Sequence, residues 1–403
     1  MNVALRVGIA PVPRRSIADA VLPMLAEEGA EVILGAGSVS ETVLPVSPNE
    51  RSMFGPRGAC IASDGSLWVA DTGHHRLLGW PQWPTADGAP AQILIGQPDF
   101  LHEGRNAKGE PGAATLNVPS GICACGEGLA VADGWNHRVL IWHALPTRHN
   151  QPADVVLGQE DFSAVESNRG NNAPTASSLF WPFGVAWDGH DLWVADTGNR
   201  RLLRWQGIPR RNGQPAKLVL GQQGFDCRDE NAGGAPSAFS MRWAHGIAFL
   251  EGRLCISDAG NNRIMIWERL PTANGQACDI ILGQRDAVSV DHNMGDYWPS
   301  AAALNMPYAI CTIGDWLVAA DTASSRLLAW HADELANAAR AQRLAAQPDW
   351  ESKGDNRWLP AGRDSLCWPY GLSSNAQFAV IADAGNNRVL LWRWHDALRG
   401  VRG

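Results

Sequence analysis

The sequence predicts an all-β chain folded as a six-bladed β-propeller with four antiparallel strands per blade. Three observations carry that prediction. A ten-residue motif is written six times at a near-constant interval. Each interval holds four short strand-like pieces. The last interval lacks its fourth piece, and the N-terminal region has one to spare.

The motif is clearest at Asp196-Thr-Gly-Asn-Arg-Arg-Leu-Leu-Arg-Trp205, and its other copies open at Asp71, Asp133, Asp258, Asp321 and Asp383. The Asp recurs every 62 or 63 residues. A period this regular marks a structural repeat, whose units bury their apolar faces against their neighbours. It therefore overrides the two or three domains that 403 residues would otherwise allow. Residues 1–30 read as an N-terminal arm and 31–403 as the propeller.

In the arm, Ser16 to Gly29 carries helix signals: a capping Ser16, Asp19 in the first turn and a terminating Gly29. Pro23 opposes them, so a short helix and an irregular arm both stand. Glu31-Val-Ile-Leu-Gly35 reads as a strand.

Each unit then opens on a Pro-x-Gly-apolar segment, as in Pro119-Ser-Gly-Ile and Pro182-Phe-Gly-Val, or on the variants Ala244-His-Gly-Ile and Pro307-Tyr-Ala-Ile. The second piece ends at the motif Asp (Leu67–Asp71, Leu192–Asp196), and the third is the Arg-apolar-apolar-x-Trp run. The fourth is Ile93–Gln97, Val155–Gln159, Leu218–Gln222, Ile280–Gln284 and the eroded Arg343–Gln347. Between second and third, Gly-Asn chemistry suits a tight hairpin that tolerates positive φ. The period-two pieces exclude a helical solenoid. A strand solenoid is the weaker rival, because its repeats are normally shorter.

After Trp392 only eleven residues remain, with no fourth strand among them. Glu31–Gly35 aligns with Gln92–Gly96, so the N-terminal strand is expected to complete the last blade. That closure removes the edge an open array would expose. A connection of about twenty residues follows each fourth strand, long enough to need its own order or a role. These connections share Pro98-Asp-Phe100-like openings and an Asn (Asn106, Asn168, Asn231, Asn293, Asn356). They are expected together on one face of the disc.

The bulk composition excludes several classes. Net charge is −8, with no basic footprint for nucleic acid or an anionic membrane. No apolar run reaches membrane-spanning length, and the N-terminus has no signal-peptide pattern. A cytoplasmic protein is expected. The eight Cys form no Cys-x-x-Cys pair and read as reduced thiols.

Pro-x-Gly-Ile/Val-Ala followed by Leu-Trp-Val-Ala-Asp-Thr-Gly-Asn-x-Arg-apolar-apolar resembles the NHL repeat. The added Val-Leu-Gly-Gln-x-Asp-Phe looks like a bacterial variety with long units. The resemblance covers roughly residues 31–395 and is weakest at Asp321-Thr-Ala-Ser-Ser-Arg326, which lacks the Gly and the Asn. It implies a propeller and no single activity, since NHL-like propellers include protein- and RNA-binding modules, a peptidyl-hydroxyglycine lyase and scaffold proteins. Stand-alone members resembling this chain accompany bacterial redox metalloenzymes such as nickel–iron hydrogenases.

In such propellers the start of the innermost strand faces the channel mouth. That places Arg57, Ser120, Phe183, His245, Tyr308 and Tyr370 on one ring. They are candidate binding residues, lining either an open pocket or a plug. The six motif Asp and six motif Arg recur in every blade and so read as architecture, because a site sits at unique positions. A metal is not expected, since the ring offers one His and no carboxylate. Cys60, Cys123 and Cys311 occupy one equivalent position and read as small residues for close blade packing. His74-His75 reads as a pair of turn residues at the rim.

With neither catalytic residues nor a cofactor indicated, the first expectation is a non-catalytic binding or scaffold propeller with a protein partner or a small ligand at the mouth. The alternative is a lyase or hydrolase there, with His245 as acid or base, Tyr308 or Tyr370 as proton donor and Arg57 as anion clamp.

Overall fold

A computed structural model describes residues 20–36 and 47–398. Six four-stranded antiparallel sheets follow one another along the chain. Their innermost strands are Gly58–Ile61, Pro119–Cys125, Val185–Trp187, Ala244–Leu250, Pro307–Ile313 and Pro369–Ser374, and each packs on the next around a ring. Val32–Gly35 pairs antiparallel with Arg388–Arg393 and completes blade six, as the sequence predicts. Each core cluster is shared by two neighbouring blades. Cys60, Trp68 and Leu77 of blade one, for instance, pack with Leu129, Val131 and Trp142 of blade two. No blade is therefore buried alone.

The arm departs from the helical expectation. Residues 20–29 form no helix: Leu22–Pro23 pairs parallel with Arg343–Leu344 as a fifth strand on blade five, and a turn follows at Glu27 and Glu28. Pro23 lacks the N–H a helix interior needs and fits a sheet edge. Ser16 to Asp19 lie outside the described residues. The arm covers an edge that other blades cover differently. In blades one to four, an Asn of the following blade (Asn150, Asn212, Asn274, Asn337) accepts an N–H from the outer strand region at 2.8–3.1 Å. No blade follows blade six, and Asp87 of blade one does the same for Ile33 at 2.9 Å. Blade five has the arm instead, with Arg343 donating to the Pro23 carbonyl at 2.9 Å.

The motif builds each hairpin around a buried ion pair. Arg Nε meets the Asp carboxylate at 2.7–3.0 Å in all six blades. The other carboxylate oxygen accepts an N–H from the loop entering the same blade, as Phe180 donates to Asp196 at 2.7 Å. The remaining guanidinium nitrogens of Arg201 donate to the carbonyls of Phe225, Thr175 and Ser178. One arginine thus fastens the loop before its blade and the loop after it. An Asn pair extends this, each amide bonding the other: Asn106 with Asn136, Asn168 with Asn199, and Asn356 with Asn386. In blade five Ser324 replaces the hairpin Asn, and both Ser324 Oγ and Asn293 Oδ1 are buried without a partner.

The hairpin closes by a short turn whose last residue is left-handed: His75, His137, Arg200, Asn262, Ser325 or Asn387, with φ between 50° and 56°. The expected role of the motif Gly is therefore different. Gly198 does not take the positive φ; a Cβ there would lie 2.4 Å from the Phe180 carbonyl oxygen. It is small because a loop passes against it.

Replacing Ser324 by Asn restores the missing pair with Asn293. Ser324→Asn is expected to raise the unfolding free energy by about 1 kcal/mol, read from chemical denaturation, whereas the same change at exposed Ser47 is expected to leave it within about 0.5 kcal/mol.

Candidate functional site

The six ring residues meet at one end of the central channel because the innermost strands begin almost in backbone contact. A Cβ on Gly58 would lie 2.1 Å from the Ser120 carbonyl oxygen, and one on Gly184 would lie 1.9 Å from that of His245. Only glycine, or Ala309 in blade five, fits beside the neighbouring strand, so the residue before it is driven to the axis.

There the side chains stack. Phe183 and His245 lie 4.3 Å apart between ring centroids, His245 and Tyr308 4.5 Å, and Tyr308 and Tyr370 4.6 Å at an interplanar angle of 14°. The Arg57 guanidinium sits 5.1 Å over the Tyr370 ring. Ser120 Oγ donates to the Phe183 carbonyl at 3.0 Å. Phe183, His245 and Tyr308 are buried, and the space left is about 70 Å³. Ligand pockets occupy roughly 300–1,000 Å³. Of the two readings of this ring, the geometry is that of a plug.

His245 is neutral within it. Burial pushes its pKa down to about 3, the backbone bond to Trp243 opposes the fall, and the Arg57 charge adds to it. Nδ1 carries the proton, since it donates to the Trp243 carbonyl at 3.0 Å. The Tyr308 hydroxyl is held above its ordinary range, first by burial and then by Tyr370.

The channel widens beyond a waist formed by Ala59, Ile122, Val185, Ile247, Ile310 and Leu372, which line both ends. On the far side lies an open basin of about 380 Å³, whose walls include Trp187, Phe249, Thr312 and Ser374. The sequence reading missed it. The signal was present in register: positions two and four after the ring residue also point inward, and the second of these differs in all six blades (Ile61, Ala124, Trp187, Phe249, Thr312, Ser374).

The remaining candidates lie elsewhere. Cys60 packs between blades one and two, and Cys311 joins the core shared by blades five and six. Cys123 lies against the core of blades two and three. Burial pushes the Cys60 and Cys311 thiols up to about 12. Among the described residues, no three His, Cys, Asp or Glu side chains come together as metal ligands.

The two blade-one histidines are not an exposed rim pair. His74 is fully buried in the place of the hairpin Asn, with Nδ1 2.8 Å from Asp71. It tips a balance: burial raises the Asp71 carboxyl, but Arg76 and His74 together hold it below its ordinary value. In blades two and three the opposing partners are insufficient, and burial pushes Asp133 and Asp196 up. His75 Nδ1 accepts the Val118 N–H of blade two at 3.0 Å, a latch between blades. Burial, and then Arg105, lower its pKa to about 4.

The face that carries the plug also carries the long loops and most of the exposed apolar side chains. Leu101, Trp135, Val288, Tyr297, Trp358, Leu359 and Trp368 are all exposed, with Trp358 at 78 %. Trp181 and Trp368 lie beside the plug, each 6.4 Å from a plug ring.

The family model of the NHL repeat matches residues 55–80, the first blade. No curated protein matches the sequence. Among solved structures, a streptogramin B lyase is similar at 10 % identity, with 93 % of this chain and 98 % of that chain covered and a TM-score of 0.46. A gluconolactonase from Xanthomonas campestris is similar at 12 % identity, covering 94 % and 99 % with a TM-score of 0.47. The WD40 propeller domain of Doa1 is similar at 8 % identity, covering 94 % and 97 % with a TM-score of 0.44. The motif inside the matched stretch recurs in all six sheets, and the fold is a six-bladed β-propeller.

The buried neutral His245 makes stability depend on pH. Its folded pKa lies below the unfolded value of roughly 6.5, so the unfolded state binds more protons between about pH 6.5 and 3 and stability falls as pH falls. His245→Phe keeps the stack and removes that term. Between pH 6 and 4 the wild type is expected to lose up to about 1.4 kcal/mol per pH unit more than the variant, measured by denaturant titration at each pH.

Proposed function

We propose that this chain is a non-catalytic binding module that docks a protein partner on the face bearing the long loops. The observation that carries the reading is the filled channel mouth. Arg57, His245, Tyr308 and Tyr370 are within contact of one another, but they leave too little room for a substrate. The closed mouth speaks against a lyase or hydrolase at that end.

A second feature supports the binding reading. Monomeric surfaces scatter single apolar residues, whereas clustered ones mark interaction sites. Here exposed Trp, Leu and Tyr side chains gather on connections held in place by the motif arginines, as Phe100, Phe162 and Phe225 carbonyls accept from Arg76, Arg138 and Arg201. A rigid loop face loses little conformational entropy on docking. Large aromatic side chains are the residue types that dominate interface energetics. In the form suggested by the family resemblance, the partner is a redox metalloenzyme such as a nickel–iron hydrogenase. Among the described residues no helix is long and apolar enough to cross a membrane.

Affinity purification from the native host tests the reading. Tagged wild type is expected to retain a partner that Trp135→Ala/Trp358→Ala loses, with the unfolding midpoint unchanged. Nickel or iron co-eluting with the wild type only would support the redox form. Identical sets of co-purifying proteins from the two chains would overturn the proposal, as would a wild type that retains none.

A further inference from the structure

We propose that the open basin at the end of the channel opposite the aromatic plug binds a small uncharged ligand with an aromatic or aliphatic face and one hydrogen-bonding group. The inference is independent of protein docking on the loop face, because the site lies beyond the waist of the channel. Its volume of about 380 Å³ falls within the range of small-molecule pockets.

The wall is divided by chemistry. Trp187 and Phe249, from adjacent blades three and four, form an aromatic sector. Phe249 is itself packed against buried Trp193, with ring centroids 6.1 Å apart. Thr312 and Ser374, from adjacent blades five and six, form a hydroxyl sector. Ser374 Oγ donates to the Thr312 carbonyl at 2.6 Å, which fixes the hydroxyl and leaves its oxygen lone pairs to accept a hydrogen bond from a ligand. Ile61 and Ala124, from blades one and two, complete an aliphatic sector. Six equivalent positions with six residue types cannot be explained by the repeat, which builds every blade with the same residues.

Among the described residues no cationic side chain lines the basin. The one carboxylate in its lining, Asp188, is occupied: Oδ1 accepts from the His190 and Asp191 N–H groups at 2.7 and 2.6 Å, and Oδ2 accepts from Trp193 Nε1 at 2.9 Å. Cys60, Cys123 and Cys311 also border the basin, and burial holds their thiols protonated, so they add no anion. An anion entering this space would lose its hydration without a counter-charge. A neutral ring with one hydroxyl or N–H loses little and gains both sectors.

Phenol and indole are suitable probes, with benzoate as the charged analogue. Isothermal titration of the full chain is expected to show saturable one-site binding of phenol or indole, and affinity for benzoate lower by about tenfold or more. Ala124→Trp fills the basin and is expected to abolish binding. Trp187→Ala is expected to weaken it by about tenfold, providing a second reading if the larger residue disturbs folding. Trp358→Ala, on the opposite face, is expected to bind as wild type. Absence of saturable heat with either neutral probe would overturn the proposal, as would binding that survives both basin variants or is equally strong for benzoate.

Discussion

Each blade hangs on one buried ion pair, and the fold depends on how completely that pair is used. A fully buried arginine and aspartate are costly to desolvate, and their mutual attraction repays this only when the remaining donors and acceptors are also satisfied. In blade three they are. Asp196 accepts from Arg201, Asn199 and the Phe180 N–H, while Arg201 also donates to three carbonyls in two loops. The cost of burial is thereby converted into loop geometry. The long connections, which would otherwise be loosely attached surface, are fixed against the hairpins on one face of the disc.

The same hairpins hold the blades together. The left-handed residue that closes each turn receives an N–H from the next blade in five of six seams, through His75, His137, Asn262, Ser325 and Asn387. The donating residues Val118, Trp181, Met306, Trp368 and Gly55 all have positive φ. At the third seam Arg200 replaces the acceptor. Trp243 bonds Asp258 of its own blade, and Thr197 Oγ1 reaches the Ala244 carbonyl across the seam. Circular closure distributes these links around the ring, with Val32–Gly35 and the Arg363–Asp87 pair joining the ends.

Much of this was legible because it repeats. Periodicity located the strands and the closing strand, and its register placed Arg57, Ser120, Phe183, His245, Tyr308 and Tyr370 on one ring. What occurs once was harder to read. The two-residue pairing of Leu22–Pro23 answers an edge that exists only in three dimensions. Whether the ring is a pocket or a plug depends on how closely the glycine-bearing strands approach, and residue types alone do not encode that distance. His74 read as a rim residue, whereas the Asp71 carboxylate draws its imidazole into the buried Asn position. The basin is built by the position four residues after the ring, where no shared motif residue marks the strand.

The motif is architecture, and the proposed binding surfaces lie where the blades differ. Six single variants, Arg→Met at 76, 138, 201, 263, 326 and 388, put that division to the test through their unfolding free energies and their probe binding in the basin per folded molecule. Each is predicted to lose about 3–5 kcal/mol, the cost of leaving a buried carboxylate unpaired, with binding by the folded fraction unchanged. A variant that folds with wild-type stability yet has lost binding would contradict the account.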